Sequence, residues 1–558
     1  MPNRNGGCHM GETITSTQWI NSVNIRNKHA NVILVREKEV TIDKDTSKVL
    51  DTKTRMRYIN DPKRTIYVTK PKYRTHRYKK ESEVLEKLDA YTVRDSEVIP
   101  KLKEIFNIPQ KKYMSLRAIC NSPYIYNADI PIEVLIRDKY NKNQKHSVVP
   151  ITIGALDIET CVDGTDAINA ITFIAETHVY TAVHEDFMWR TDETGKRVRA
   201  KVSDIYKYAN AAIKPYLDKY HFELDVQVCK SEMGIINWIF SKIHEEDMDF
   251  ILIWNMGFDI PRIISRIAYN SKDPADVFSH PSVPEDLRIC KFVEDTRDVA
   301  HFIERWHWVF TTCNSQFIDA EALYGRNRKS KPKEAYYTLE YISNKEVGAG
   351  KLKFNEDSHA EMQAKRFVEY AVYNMVDSML IMMMEWKNHD TKQMLWLTGS
   401  SRYCDYSKQT NMLRDIYYRF LLERGRAFAT TGESVTTEYS HYFIRRGGTV
   451  LNATMVRDMG INAILERPDY ESGVVVFASD LDFKAYYPST GSMYGLSKET
   501  KLATVVAIDG NEDKDYIEAI MGGVANPEAN AVWIGHEYFG LPNYEEWSEL
   551  AMKEFFKS

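Results

Sequence analysis

Ile151-Thr-Ile-Gly-Ala-Leu-Asp157-Ile158-Glu159-Thr160 is the stretch whose reading decides the fold. Apolar residues lead into two acids separated by one isoleucine. In a strand, successive side chains point to opposite faces. Leu156 and Ile158 therefore enter a core while Asp157 and Glu159 share the other face. Two carboxylates on one face repel each other unless a positive charge sits between them, and hard oxygen ligands suit Mg²⁺ or Mn²⁺. An exposed acidic strand end has the same pattern, so partners elsewhere in the chain must carry the argument.

Downstream, Asn169 to Thr181 reads as a second strand pairing with the first, and residues 203–220 and 231–246 read as helices. The run Asp249-Phe-Ile-Leu-Ile-Trp254-Asn255-Met-Gly257-Phe258-Asp259-Ile-Pro261 reads as a buried strand, a turn at Gly257 and a helix. Asp259 is expected as the N-cap and Pro261 in the first turn. Residues 359–388 read as one long helix on which Tyr373 and Asp377 share a face. The nearby Met379, Met382, Met383 and Met384 read as core packing. Asp157-x-Glu159, Asn255-x-x-Phe258-Asp259 and Tyr373-x-x-x-Asp377 together offer four carboxylates and a phenol. Such a set suits hydrolysis with two metal ions roughly 3.5–4 Å apart, one activating water and the other stabilising the leaving oxygen. The tyrosine hydroxyl can orient the water.

Working outward, 558 residues leave room for roughly three or four domains. Prolines 123, 131 and 150 punctuate the approach to the acidic strand, and a domain boundary is expected near residue 150. The net charge of -5 gives no whole-chain sign of nucleic-acid binding. Seven cysteines without a CxxC pair argue against a zinc ribbon or disulfide framework and fit a reducing cytosol. Residues 1–30 lack the apolar core of a signal peptide and read as partly mobile. No stretch approaches the roughly 18 apolar residues of a membrane span. A cytoplasmic protein with no membrane partner is expected, in the host cytoplasm if the chain is viral. Residues 53–80 hold eleven Lys or Arg against one acid, Asp61, with four tyrosines interleaved. They suit phosphates and unpaired bases, or form a solvated face. Residues 326–333 are a short basic loop with the same two readings. Residues 81–106 read as largely helical, split by Pro100.

The three acidic elements resemble the Exo I, Exo II and Exo III motifs of the 3′→5′ exonuclease domain of family B DNA polymerases. Their order and spacing are similar to those in polymerases of T-even-type bacteriophages. The resemblance implies a mixed α/β chain with a ribonuclease-H-like exonuclease domain that removes mispaired 3′ nucleotides. It makes Asp157, Glu159, Asp259 and Asp377 ligands of two Mg²⁺ or Mn²⁺ ions and Tyr373 the water-orienting group. Asn255 and Phe258 would contact or shape the single-stranded end. DNA is the implied partner, both as primer-template and as a single-stranded 3′ end. Arg74 and Arg77 are expected as further contacts, and a sliding clamp is a candidate partner.

Further on, Asp480-Leu-Asp482-Phe483-Lys484-Ala485-Tyr486-Tyr487-Pro488-Ser489 resembles polymerase motif A. Counting back from Pro488 and Ser489 makes Asp482 the metal-binding acid, rather than Asp480. Tyr487 falls where the family packs a tyrosine under the deoxyribose, and Tyr486 is the second expected nucleotide-binding residue. Ala485 and Tyr486 stand where the family usually has serine and leucine. Arg446-Gly447-Gly448 resembles the DNA-contacting linker motif, though without its tyrosine, and also fits a hairpin turn. The implied organisation is an N-terminal domain (1–150), an exonuclease domain (151–390), a helical return segment (391–440) and the start of a palm (441–558). The fingers lysine helix and the Asp-Thr-Asp hairpin are not in the sequence; Gly164-Thr165-Asp166 is expected outside any strand–turn–strand setting. One expectation is the N-terminal subunit of a split polymerase, completed by a second chain. The alternatives are a truncated polymerase active only as an exonuclease, and a non-catalytic regulator that binds RNA or DNA.

Overall fold

The computed structural model describes residues 13–431, apart from residues 27–30, 45–47, 76–79, 81, 144–150, 192–193, 300, 330, 354–358, 399–402 and 408. Arg77, Arg446, Gly447, Gly448, Asp480, Asp482, Tyr486 and Tyr487 lie outside the described residues. The chain divides into two compact units, Met1–Glu433 and Ser434–Ser558, and the described residues all belong to the first.

This unit opens on an antiparallel sheet of β1 (Thr13–Arg26), β2 (Asn31–Asp43) and β3 (Val49–Asn60), in that order. The expectation of a mobile start is thus corrected over Thr13–Arg26: Ile20, Val23 and Ile25 are buried, which mobile chain could not sustain. Next come β4 (Lys63–Thr69), β5 (Ser82–Val84), β6 (Leu88–Arg94), α1 (Val98–Ile105), α2 (Leu116–Ile119), β7 (Ile125–Tyr126) and α3 (Ile132–Asn143). Residues 81–106 are therefore mostly not helix. Tyr91, Thr92 and Val93 favour a pleated surface and pair with Ile66, Thr65 and Arg64 of β4. Pro100 splits nothing; it lies in the first turn of α1, where its missing N–H is tolerated. The basic stretch begins in β3 and β4 and continues past Thr69, and several of its charges are internally paired. Arg55 bridges Glu37 and Glu39, Arg64 is buried on Asp95, and Lys80 meets Glu83. Arg74 packs over Phe106 and Tyr124 and donates to the Thr69 carbonyl.

The main core surrounds a six-stranded sheet. In chain order its region contains β8 (Ile153–Thr160), β9 (Ile168–Ala175), β10 (His178–His184), the hairpin β11 (Trp189–Thr191) and β12 (Arg197–Arg199), α4 (Val202–Ala212) and α5 (Lys214–Tyr220). Then come β13 (Glu223–Cys229), α6 (Glu232–Glu246), β14 (Phe250–Ile253), α7 (Met256–Tyr269), α8 (Pro274–Phe278), and the ribbon β15 (Cys290–Val293) and β16 (Trp308–Thr311). β17 (Gln316–Asp319), α9 (Ala320–Asn327), α10 (Leu339–Val347), α11 (His359–Lys365) and α12 (Phe367–Asn388) complete it. The sheet order is β13-β10-β9-β8-β14-β17. β8, β9 and β10 form an antiparallel meander; the other pairings are parallel. The molecule is thus mixed α/β.

Several expected boundaries move. Residues 169–181 are parts of two strands, turned at Glu176, whose φ is 52°. The 203–220 helix breaks at Ile213, ahead of Pro215 in the first turn of α5. The 359–388 helix breaks at Arg366. Gly164-Thr165-Asp166 does lie between two strands, in the loop joining β8 to β9. α6 packs on β9 and β10, and α12 on β8 and β9. The methionines of α12 are buried as expected. No helix among the described residues is long and apolar enough to cross a membrane.

The first sheet is bolted to this core by charge. Arg36 and Lys38 of β2 reach Asp249, at the root of β14, at 3.0 and 2.5 Å. Arg36 also holds Asp247 at 2.8 Å, and the Thr152 N–H donates to Asp249. Asp249 is wholly buried, so removing either cation would leave charge uncompensated. The chain then runs through α13 (Asp390–Thr398), α14 (Tyr403–Tyr406) and α15 (Gln409–Glu423) to β18 (Arg426–Phe428), which pairs antiparallel with β5.

Candidate metal centre

The site forms where the carboxyl ends of β8, β14 and β17 meet α12. Loops after parallel strands converge there, and such sheets place their ligands at that edge. The second residue of β8 is Gly154 because nothing larger fits: a Cβ there would lie 2.4 Å from the Ile174 carbonyl oxygen of β9. The alternation then holds. Leu156 and Ile158 are buried, while Asp157 and Glu159 are partly buried on the face met by α12.

Oxygens of Asp157, Glu159 and Asp377 converge within 4.8 Å of one another. Asp259 faces the same cluster electrostatically: its charge is among those that raise the Asp157 pKa. Its placement differs from expectation. Asn255, not Asp259, is the N-cap of α7, so Asp259 sits within the first turn and Pro261 beyond it. The earlier start buries Asp259 instead of leaving it to cap. Asn255 and Phe258 are both exposed beside it, with the Arg262 guanidinium 3.7 Å from the Phe258 ring centroid.

Side chains absent from the sequence reading complete the centre. The Tyr370 hydroxyl donates to Glu159, and Gln363 holds Tyr370 at 3.0 Å and the Thr160 carbonyl at 2.6 Å. Asn374 donates to Asp157 at 2.6 Å. Lys351 donates to Asp377 at 2.5 Å and to the Tyr373 hydroxyl at 2.9 Å. Tyr370, Tyr373, Asn374 and Asp377 recur at helical spacing along one face of α12, a signal the sequence carried. Lys351 had none: it arrives from the loop after α10, pinned where Glu340 accepts its backbone N–H.

The electrostatics are those of crowded buried acids. Burial, then Asp259, Asp377 and Glu159, hold the Asp157 carboxyl well above the usual range, against the pull of Lys351. Burial, then Glu159 and Asp319, do the same to Asp259. Burial pushes Glu159 up to about 8 although Tyr370 donates to it. Asp377 rises only to about 6, because Lys351 offsets part of its burial. Burial alone would lower the Lys351 ammonium, but Asp377, Tyr373 and Asp157 outweigh it and raise it. Acids held this way want cations. The donor set fits a hard divalent ion: several carboxylate oxygens converge, and the buried Oδ1 of Asp377 has no hydrogen-bond partner among the described residues. Asp319, another unforeseen acid, ends β17 and caps α9 by accepting from Ala322 at 3.0 Å; burial takes it to about 7.

No family model matches the chain, and no curated protein matches it.

Proposed function

We propose that the chain is a metal-dependent 3′→5′ exodeoxyribonuclease with a ribonuclease-H-like exonuclease domain, forming the N-terminal part of a family B replicative DNA polymerase. One observation carries this reading: acids far apart in sequence, Asp157 with Glu159, Asp259 and Asp377, face one cluster beside an aromatic–asparagine rim. The meander β8-β9-β10 followed by parallel β14 and β17 supports the fold assignment.

Asp157, Glu159, Asp259 and Asp377 would hold two Mg²⁺ or Mn²⁺ ions. Bound there, the ions supply a hydroxide at neutral pH and stabilise the leaving oxygen. The protein's own groups prepare that chemistry. Tyr370 and Asn374 fix Glu159 and Asp157 by hydrogen bonds, so neither carboxylate must reorganise. Lys351 donates into the Tyr373 oxygen, so the proton that Tyr373 can give is its own, and a water can receive it. Asn255 and Phe258 stand exposed where a strand end would enter.

DNA synthesis is proposed to need carboxylates and a lysine helix that this sequence does not contain, supplied by a second chain or by a continuation of this one. Asp482 would be this chain's contribution to that second metal site. Digestion of an end-labelled single strand with Mg²⁺ or Mn²⁺ tests the exonuclease. The Asp157→Ala, Glu159→Ala double variant should lose many orders of magnitude in rate. A variant that digests as fast as wild type would place the activity elsewhere.

A further inference from the structure

Phe258, Arg262 and Arg266 recur every four residues along α7, with Asn270 at its C-cap, so the four share one ridge of the helix. The ridge meets the loop that joins β8 to β9. Arg266 donates to Glu232 at 2.7 and 2.9 Å and to the Thr165 carbonyl at 3.1 Å. Glu232 also accepts from Asn270 at 3.0 Å and from the Ile168 N–H at 2.8 Å. Asp163 accepts from the Thr165 N–H at 2.9 Å. The loop is thus tied down on both sides of Asp166, although that residue is itself exposed.

Arg262 is held differently. Its guanidinium lies 3.7 Å from the Phe258 ring centroid and 3.6 Å from the Asp166 carboxylate. Its Nε is buried without a hydrogen-bond partner among the described residues. One ring face and one carboxylate therefore do for Arg262 what bidentate bonds do for Arg266. A planar cation stacks on an aromatic face, so the contact orients the ring as much as it orients the arginine. Phe258 remains 37% exposed, so the arginine steadies the ring without burying it. The loop that carries Asp166 begins where β8 ends, one residue after Thr160. The ring and the Asp157–Glu159 strand therefore share an anchor.

We propose that Arg262 is a positioning residue: anchored by Asp166 of the β8–β9 loop, it holds the Phe258 ring at a fixed angle to the carboxylates. A terminal nucleotide then meets a ring already in place. The use of this brace in cutting rests on the exonuclease reading; the brace itself does not. Its size follows from the contact. An exposed cation–π pair favours the stacked ring about two- to fivefold. Arg262 should therefore matter by that factor, and not by the orders of magnitude that follow the loss of a metal ligand.

The test uses the full chain twice. In the first experiment para-fluorophenylalanine takes the place of Phe258 alone, by stop-codon suppression, and is read by fluorine NMR without DNA. Arg262→Met and Asp166→Asn should each shift the resonance in the same direction, and Asp166→Asn should add nothing once Arg262→Met is present. A resonance that ignores either substitution overturns the brace. In the second experiment the natural ring is kept and initial rates of digestion of an end-labelled oligothymidylate are measured. Arg262→Met should lower kcat about two- to fivefold with KM little changed, and should change neither in a Phe258→Ala chain. A raised KM at unchanged kcat, or the same loss in the Phe258→Ala chain, would mean that Arg262 meets the substrate itself, and also overturns the brace. If the wild type digests while the resonance stays fixed, the brace falls and the exonuclease stands. If the resonance answers both substitutions while nothing is digested with Mg²⁺ or Mn²⁺, the brace stands and the exonuclease falls.

Discussion

Replacing Glu159 by glutamine should stabilise the metal-free chain and blunt its response to metal. Burial holds the Glu159 carboxyl at about 8, whereas in an unfolded chain it ionises near its ordinary value of 4.5. Between those two values the folded state keeps a proton that the unfolded state has released. Stability therefore falls as pH rises through that window. The loss at neutral pH from this one group is roughly 3 kcal/mol, since each pH unit contributes ~1.4 kcal/mol. Glutamine has no proton to lose, and its carbonyl can still accept from Tyr370, so the packing survives. In EDTA, the gap in melting temperature between variant and wild type should be small near the ordinary carboxylate range and widen to several degrees toward about pH 8. Mn²⁺ binds the ionised acids, so it should raise the wild-type melting temperature most at the alkaline end and the variant's much less. Thermal melts by circular dichroism, with EDTA or Mn²⁺ across a pH series, decide it. A variant less stable than wild type at alkaline pH in EDTA, or a gap that narrows as pH rises, would refute the reasoning.

Lys351→Met removes the cation that offsets the burial of Asp377, now at about 6, so the pH midpoint for Mn²⁺ binding should move up and digestion at neutral pH should slow. An unmoved midpoint in Mn²⁺ titrations would count against that role. Arg36→Met strips one of two cations from buried Asp249 and should cost about 3–5 kcal/mol in urea unfolding. With a complementing chain that carries the lysine helix and the Asp-Thr-Asp hairpin, Asp482→Ala should abolish primer extension and leave single-strand digestion near wild type. A mixture whose extension ignores that substitution would remove Asp482 from the polymerase site.

What could be read from the sequence depended on how local its cause was. The alternation at Leu156–Glu159 reports the two faces of one strand, and the sheet kept it. Asp259 was misplaced because the N-cap rule favours Asp and Asn alike, and Gly257, expected as a turn, lies inside the first turn of α7. Residues 88–94 carry β-branched and aromatic residues whose pairing with β4 overrode an apparent helical spacing at Val84, Leu85 and Leu88. Tyr370 and Asn374 lay within reach, one helical face along from Tyr373 and Asp377. Lys351 and Asp319 did not, since only the tertiary fold brings a loop after α10 and the end of β17 to that cluster.

Asp249 also bears on any attempt to cut the chain. A fragment starting at Ile151 keeps that acid and discards β2, from which both of its cations come. The orphaned carboxylate would take up a proton or draw water into the base of β14, a strand of only four residues. At its far end that strand delivers Asn255 and Asp259. The N-terminal sheet is thus a splint for the edge that carries the carboxylates, and a minimal fragment that keeps their geometry has to begin upstream of β2.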